Sequence, residues 1–277
     1  MTGIDLGRVI LFSFLGRKAC VERQLSYVRR ILEEHPDWVF EGWNLARNPQ
    51  DAAYLRSLSD EFCIREDFYQ HHDGWNAVWR HYAAQPSNAI YVKFDDDIAF
   101  IEADRIGELV QAAKDHPGEV ISAQVINNGA SLPTLPELRE KFLTLGIPLL
   151  DVHMSNRFAE MSHEYFFEHW AGLVGQPVEI IREETWLSIN FIGMDHQALS
   201  HIAKWVGQPS PAQIADRFWE PGSVCGDEGA ANLLGRHILI GMVVGHVSFG
   251  PQELTPAQWS DWLTLYESVG ARYLEGR

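Results

Sequence analysis

Apolar residues along the chain fall into two kinds of stretch: short continuous runs, and longer segments in which they return every three or four positions, the period of a helix with one buried face. Arg8 to Phe14 is an apolar, β-prone run. It passes through Leu15, Gly16 and Arg17 into a segment where Val21, Leu25, Val28 and Leu32 recur at helical spacing. The pattern predicts strand, loop and helix. His35-Pro36-Asp37 ends that helix, because proline lacks an N–H and restricts the residue before it, and Trp38 to Leu45 reads as a second strand closing a first βαβ unit. Asp60 to Asp67 holds a short third strand. His72 to Ala84 predicts a helix with Trp75, Val78, Trp79 and Tyr82 on its apolar face, ending near Gln85-Pro86-Ser87.

The strongest strand follows: Ala89-Ile90-Tyr91-Val92-Lys93-Phe94 runs straight into Asp95-Asp96-Asp97. Ile106, Leu109, Val110 and Ala113 then mark a helix that stops at His116-Pro117-Gly118, and Glu119 to Ile126 is a strand. The regular alternation up to residue 126 argues for an α/β fold, a mainly parallel, doubly wound sheet with helices on both faces. Beyond it, Asn127-Asn128-Gly129, Pro133 and Pro136 lead into an irregular helical stretch reaching Pro177 and holding His153, His163, Tyr165, His169 and Trp170. Val178 to Met194 reads as strand, turn and strand, with Trp186 to Ile192 the stronger half. Ser223 to Gly235 carries a helix starting near Asp227, Ile238 to Val247 is a last apolar strand, and Pro256 to Leu274 a terminal helix. There is no internal repeat and no low-complexity tract.

Composition narrows the function. With 277 residues and 46% hydrophobic content the chain can build a core without disulfide or metal staples. A formal charge of −16 disfavours gripping nucleic acid or anionic lipid through a broad basic face. Cys20, Cys63 and Cys225 form no C-x-x-C pair, which suits a reducing compartment. Met1 to Gly7 lacks a signal-peptide pattern, and no run approaches the ~18 apolar residues of a membrane span, so a soluble, cytoplasmic protein is the expectation. The phosphate loop G-x-x-x-x-G-K-[ST], the dinucleotide fingerprint G-x-G-x-x-G and the nucleophile elbow G-x-S-x-G are missing, and His163-Glu164 has Phe167 where H-E-x-x-H needs its second histidine.

What remains is the acidic strand end. Open α/β sheets bind ligands at the carboxyl ends of their strands. In an extended chain Asp95 and Asp97 point one way and Asp96 another, giving two convergent oxygen ligands. Two such anions about 4 Å apart repel by roughly 4 kcal/mol at an effective dielectric near 20, which a cation relieves. Carboxylate oxygens select Mg²⁺ or Mn²⁺. A solvated strand exit with an aspartate capping a turn fits the same three residues; the buried strand before them favours the metal. Lys93 pairs with this cluster or faces the sheet edge. His71-His72-Asp73 approaches a nucleotide or is a polar loop. Trp170, Trp186 and Trp219 stack on a sugar or fill the core. Asn190, in an apolar strand, needs a hydrogen-bond partner.

In this order, Ile10 to Arg17, Tyr91 to Asp97, Gly226-Asp227-Glu228-Gly229 and His246-Val247-Ser248-Phe249 resemble a GT-A-type nucleotide-sugar glycosyltransferase. The resemblance spans residues 8–126 and 186–250 and implies one GT-A-like domain over 1–277. Residues 8–126 would form the nucleotide-sugar-binding half, and 127–250 the acceptor half with an irregular helical insertion at 127–185; 251–277 would be a C-terminal helix. It implies that Asp97 ligates Mn²⁺ or Mg²⁺ directly, that Asp95 assists through the ribose or the metal, and that His246 completes the shell. Ser13, Gly16 and Arg17 would cradle the nucleotide beside Lys93, Asp95 and Asp96. Asp227 or Glu228 would take the proton of the acceptor hydroxyl, although a plain N-cap explains Asp227 as well. The donor would be a nucleoside-diphosphate sugar and the acceptor a hydroxyl of a glycan, lipid, protein or modified nucleobase. Two rivals fit the same features: a non-catalytic glycan- or protein-binding module, and a metal-dependent phosphohydrolase or nucleotidyltransferase.

Overall fold

Val9–Leu15 forms the first strand, β1, with six of its seven residues buried, as an apolar run covered on both faces should be. Its neighbours Leu11 and Phe12 enter different cores, one on each side of the sheet. The computed structural model describes residues 8–85, 87–215 and 217–276, so the readings of Met1 to Gly7 and of Pro86 fall outside the described residues.

After β1 come α1 (Lys18–Glu34), β2 (Val39–Asn44), α2 (Pro49–Ser57), β3 (Cys63–Arg65), α3 (Gly74–Ala83) and β4 (Ile90–Asp95). Next are β5 (Ile98–Ile101), α4 (Ile106–Asp115), β6 (Val120–Ile126), α5 (Pro136–Leu143), α6 (Asn156–Leu173), β7 (Glu179–Arg182), β8 (Phe191–Asp195) and α7 (His196–Trp205). A small hairpin of β9 (Gln213–Ile214) and β10 (Arg217–Phe218), then α8 (Asp227–Ala231), β11 (Arg236–His246) and α9 (Pro256–Glu275), complete the order.

The main sheet runs β3-β2-β1-β4-β8-β6-β11-β5, with β7 also on β11. β1, β2, β3, β4, β6 and β11 share one direction, and β5, β7 and β8 oppose it. The protein is thus a mixed α/β fold around a mostly parallel sheet. Helices α1, α4, α6 and α9 cover one face through Val28, Leu109, Phe166 and Tyr266. Helices α3, α7 and α8 cover the other through Trp79, Leu199 and Ala230.

Two local features set up the site. Between Leu239 and Val243 the register of β11 on β6 shifts. There Gly241 adopts φ +81°, and a Cβ would sit 2.5 Å from the carbonyl oxygen of Pro177, so only glycine fits. The bend lets the outer edge of β11 pair first with β7 and then with β5, which carries His246 to the end of β5 beside Asp97.

The other feature corrects the sequence reading. Trp186 to Asn190 is not strand; only Phe191 and Ile192 of the expected segment enter β8. The Asn232 side chain takes the place of a strand partner, accepting from the Leu187 N–H at 2.8 Å and donating to its carbonyl at 2.7 Å. The stretch 127–185, expected to be irregular and helical, is helical at α5 and α6, and α6 is a regular 18-residue helix whose N-terminus is capped by Ser155 on the Phe158 N–H. The helix expected within Ser223 to Gly235 does start at Asp227 but ends after the five residues of α8. No helix among the described residues is long and apolar enough to cross a membrane.

Candidate active site

The three aspartates do not follow strand alternation, because β4 ends at Asp95 and the chain turns through Asp96 and Asp97 before β5 begins at Ile98. Alternation holds only while the backbone is extended. Asp95 therefore has hydrogen-bond partners of its own. Its carboxylate accepts from Lys93 Nζ and, at 2.9 Å, from Asn190 Nδ2. Lys93 is 1% exposed and also donates to the Ile189 carbonyl at 2.9 Å. It is an internal counter-ion of Asp95. Asn190 Oδ1 in turn accepts from Asn128 Nδ2 at 2.8 Å and Ser188 Oγ at 2.6 Å, and Gln24 Nε2 from α1 donates to the Asp95 carbonyl at 2.7 Å.

Asp96 and Asp97 instead converge on the first βα loop. The Gly16 N–H donates to Asp96 Oδ2 at 2.9 Å, and a Cβ at Gly16 would lie 3.1 Å from that oxygen. Arg17 Nη2 bridges the pair, 2.5 Å from Asp96 Oδ1 and 2.8 Å from Asp97 Oδ2. His246 Nε2 reaches the same Asp97 oxygen at 3.3 Å. Ser13 is not in the loop; it is buried inside β1. Among the described residues, buried side-chain atoms with no hydrogen-bond partner include Asp97 Oδ1, His246 Nδ1 and Ser13 Oγ.

The cluster carries two protein cations against three carboxylates, so the repulsion inferred from the sequence is already partly relieved by Lys93 and Arg17. Burial alone would raise the Asp97 carboxyl, but His246 and then Arg17 hold it below the ordinary carboxylate range. At Asp95 and Asp96 burial wins and both are raised, against the pull of Lys93 and Arg17 respectively. Burial opposes the charge of Arg17, but Asp97 and Asp96 outweigh it and its pKa rises. A buried aspartate oxygen without a partner, next to an imidazole, is a donor set that fits Mn²⁺ or Mg²⁺. Asp97 and His246 would hold the ion; Asp95 is hydrogen-bonded to Lys93 and Asn190 and feels the charges of both Asp97 and His246. The described residues do bring three metal-ligating atoms within 4.8 Å elsewhere, at His116, Glu119 and His237.

Two cavities of about 460 and 470 Å³ reach the aspartate cluster through intermediate residues. One lies beyond β2, lined by Leu45, Arg47, Phe68, His71, His72 and Trp75. It adjoins the first βα loop through Leu45, whose N–H donates to the Leu15 carbonyl at 2.8 Å. The other is lined by Asn128, Trp186, Ser188, Arg217, Glu228 and Phe249, among others. Asn128 and Ser188 tie it to Asp95 through Asn190, and Phe249 packs on His246 with ring centroids 4.4 Å apart.

The structure separates the two acids of α8. Glu228 lines the cavity and accepts from Trp186 Nε1. Asp227 turns away to Trp79 Nε1 at 3.3 Å. Burial raises the Glu228 pKa; the Trp186 hydrogen bond opposes this and the Asp227 charge adds to it. A carboxylate raised toward neutrality suits proton abstraction. Of the tryptophans, Trp186 lines this cavity with Trp219 6.1 Å from it, whereas Trp170 sits under Arg272 of α9. Asn128, Ser188 and Gln24 were not singled out in the sequence; a polar residue inside the apolar stripe of α1 was the signal for Gln24. No described protein family and no curated protein matches this chain.

Proposed function

We propose that this chain is a GT-A-like, metal-dependent glycosyltransferase that moves a sugar from a nucleoside-diphosphate sugar to a hydroxyl acceptor. The observation that carries the reading is the contact of Asp97 with His246, residues 149 positions apart in sequence, beside a cavity walled by Glu228. The mostly parallel sheet with helices on both faces, and the gathering of Asp96, Asp97 and His246 at its strand ends, where such sheets bind ligands, support it.

Asp97 and His246 would hold Mn²⁺ or Mg²⁺, which when bound supplies a Lewis acid for the leaving diphosphate. Arg17, planar and charged at any pH of interest, presents N–H groups suited to phosphate oxygens, and Gly16 permits close backbone approach. The cavity at Phe68 and Trp75 offers aromatic faces for the nucleoside. Asp95, fixed by Lys93 and Asn190, positions the strand end. Glu228 takes the proton of the acceptor hydroxyl, and the walls of its cavity, Trp186, Phe249 and Ser188 among them, hold the acceptor away from bulk water. A second reading, a non-catalytic sugar-nucleotide-binding module, draws support from Arg17, which already answers the charge of Asp96 and Asp97.

A thermal-shift panel of nucleoside diphosphates and nucleotide sugars, each with Mn²⁺ and with chelator, tests the proposal. The expected result is stabilisation by one nucleotide family that needs the ion and disappears in Asp97→Asn. Binding that chelator and Asp97→Asn leave intact would remove the metal. Binding without transfer or slow donor hydrolysis would favour the module, and products other than an intact nucleoside diphosphate would favour a phosphohydrolase or nucleotidyltransferase.

A further inference from the structure

At the other end of the sheet, where β6 and β11 begin, three side chains from separate elements converge. His116 is the C-cap of α4, its N–H on the Ala112 carbonyl. Glu119 follows the turn at Gly118, which has φ +77°, and immediately precedes β6. His237 is the second residue of β11, paired in register with Ile121 of β6 and Arg182 of β7. Glu119 Oε2 is 2.6 Å from His237 Nε2 and 3.4 Å from His116 Nδ1, and the two imidazole rings have centroids 4.3 Å apart. A side chain on Gly235 would collide with Glu119, so the glycine keeps room for the carboxylate.

Two imidazoles and one carboxylate form a donor set different from that of the aspartates. Hard Mg²⁺ favours oxygen, whereas imidazole nitrogens favour Zn²⁺ and its neighbours in the transition series. Tetrahedral zinc with bonds of about 2.0–2.2 Å places its ligand atoms about 3.3 Å apart. The observed 2.6 and 3.4 Å to Glu119 lie within an ångström of that spacing, and all three ligating atoms are within 4.8 Å of one another. The side chains of His116 and Glu119 are 32% and 33% exposed, so an ion has access from solvent. Arg182 faces the cluster from β7, but its guanidinium is engaged by Glu184 at 2.8 Å.

We propose that His116 Nδ1, Glu119 Oε2 and His237 Nε2 form a site for Zn²⁺ or a similar borderline divalent ion, with three protein ligands and a fourth position open to solvent. Such an ion pins the end of α4 to the first residues of β6 and β11. The site is independent of the function proposed above.

Calorimetric titration of Zn²⁺ into the full chain tests it, using the unmodified protein, His116→Ala, Glu119→Gln and the double variant Asp97→Asn/His246→Gln. His116 is on the surface, and circular dichroism checks that each variant is folded. The expected result is a saturable site weakened at least about 10-fold in His116→Ala and in Glu119→Gln. The site should be retained in the double variant, and excess Mg²⁺ should not compete for it. Zn²⁺ should also raise the melting temperature of the unmodified protein but not of His116→Ala. Equal binding by His116→Ala and the unmodified protein, loss of zinc in the double variant, or no saturation below about 100 µM would each overturn the proposal.

Discussion

The aspartate cluster and the Glu228 wall lie side by side but are built differently. The aspartates are held by groups from the first βα loop, Gln24 of α1, Lys93 of β4, Asn190 before β8 and His246 of β11. Glu228 sits on a five-residue helix whose position depends on Asn232 and the unpaired segment at Trp186. The first is a strongly cross-braced, charge-compensated seat, suited to holding a ligand. The second is a single raised carboxylate on a light support, suited to changing its protonation state. The comparison teaches that binding and proton transfer should be separable by mutation.

The largest break expected is on the binding side, the loss of metal-dependent nucleotide binding in Asp97→Asn described above. On the other side, Glu228→Gln should lower turnover by about 10²- to 10⁴-fold, the usual contribution of a general base, while the thermal shift by the nucleotide sugar stays as in the unmodified protein. Asp227→Asn should cost far less, because that side chain faces Trp79; equal losses of turnover in the two would return the assignment to the pair. Removing the internal cation sharpens the contrast in stability. Lys93→Met leaves the partly buried Asp95 without its lysine and should cost up to about 3 kcal/mol in urea unfolding. Combining it with Asp95→Asn should recover much of the loss, a non-additivity that a double-mutant cycle reads directly.

The smallest effect concerns the support behind His246. His163 is fully buried, its Nε2–H donating to the Val247 carbonyl at 2.8 Å and its Nδ1 accepting from the Tyr266 hydroxyl at 2.9 Å. Burial lowers its pKa from the ordinary 6.5 to about 3, against the raising effect of the Val247 carbonyl. Between these values the unfolded chain binds a proton that the folded protein does not. Its contribution to stability is therefore complete above pH 6.5 and is lost as the pH falls toward 3. The slope from this one group is up to about 1.4 kcal/mol per pH unit. Urea unfolding of His163→Gln across that range should show a shallower dependence by up to one proton; an unchanged slope would place the protonation elsewhere.

Much of the fold was legible because local period and burial agreed. The β-prone runs read at Arg8 to Phe14 and Ala89 to Phe94 are the largely buried strands β1 and β4, and the stripe of Ile106, Leu109 and Val110 is the buried face of α4. Other elements were missed although signals existed. Asn48-Pro49 opens α2 with a capping side chain and a first-turn proline, and Asp195 caps α7. β5 is four buried residues between an acidic turn and a helix, too short for periodicity to separate it from loop. Trp186 to Ile189 looked like strand because it is mostly apolar and buried; that Asn232 pairs the backbone of Leu187 and Lys93 takes the Ile189 carbonyl is a tertiary fact.

The site shows the same division. That acids gather at the end of β4 follows from sequence, and that His246 meets Asp97 was implied by the order of motifs. Which aspartates converge was not legible, since it depends on the one position at which the extended backbone stops. Nor was the choice between Asp227 and Glu228, which turns on the rotation of a short helix between Trp79 and Trp186.

Arg17 gives the arrangement a further consequence. Its guanidinium is promised to two carboxylates before any ligand arrives, so a diphosphate can claim it only by releasing them. On the proposed function, a cation and a polyphosphate would each make the other welcome: the cation compensates the carboxylates as the arginine swings to the phosphates. Admission would then resemble a swap of dance partners more than the filling of a socket, and neither newcomer alone would be held as well as the two together.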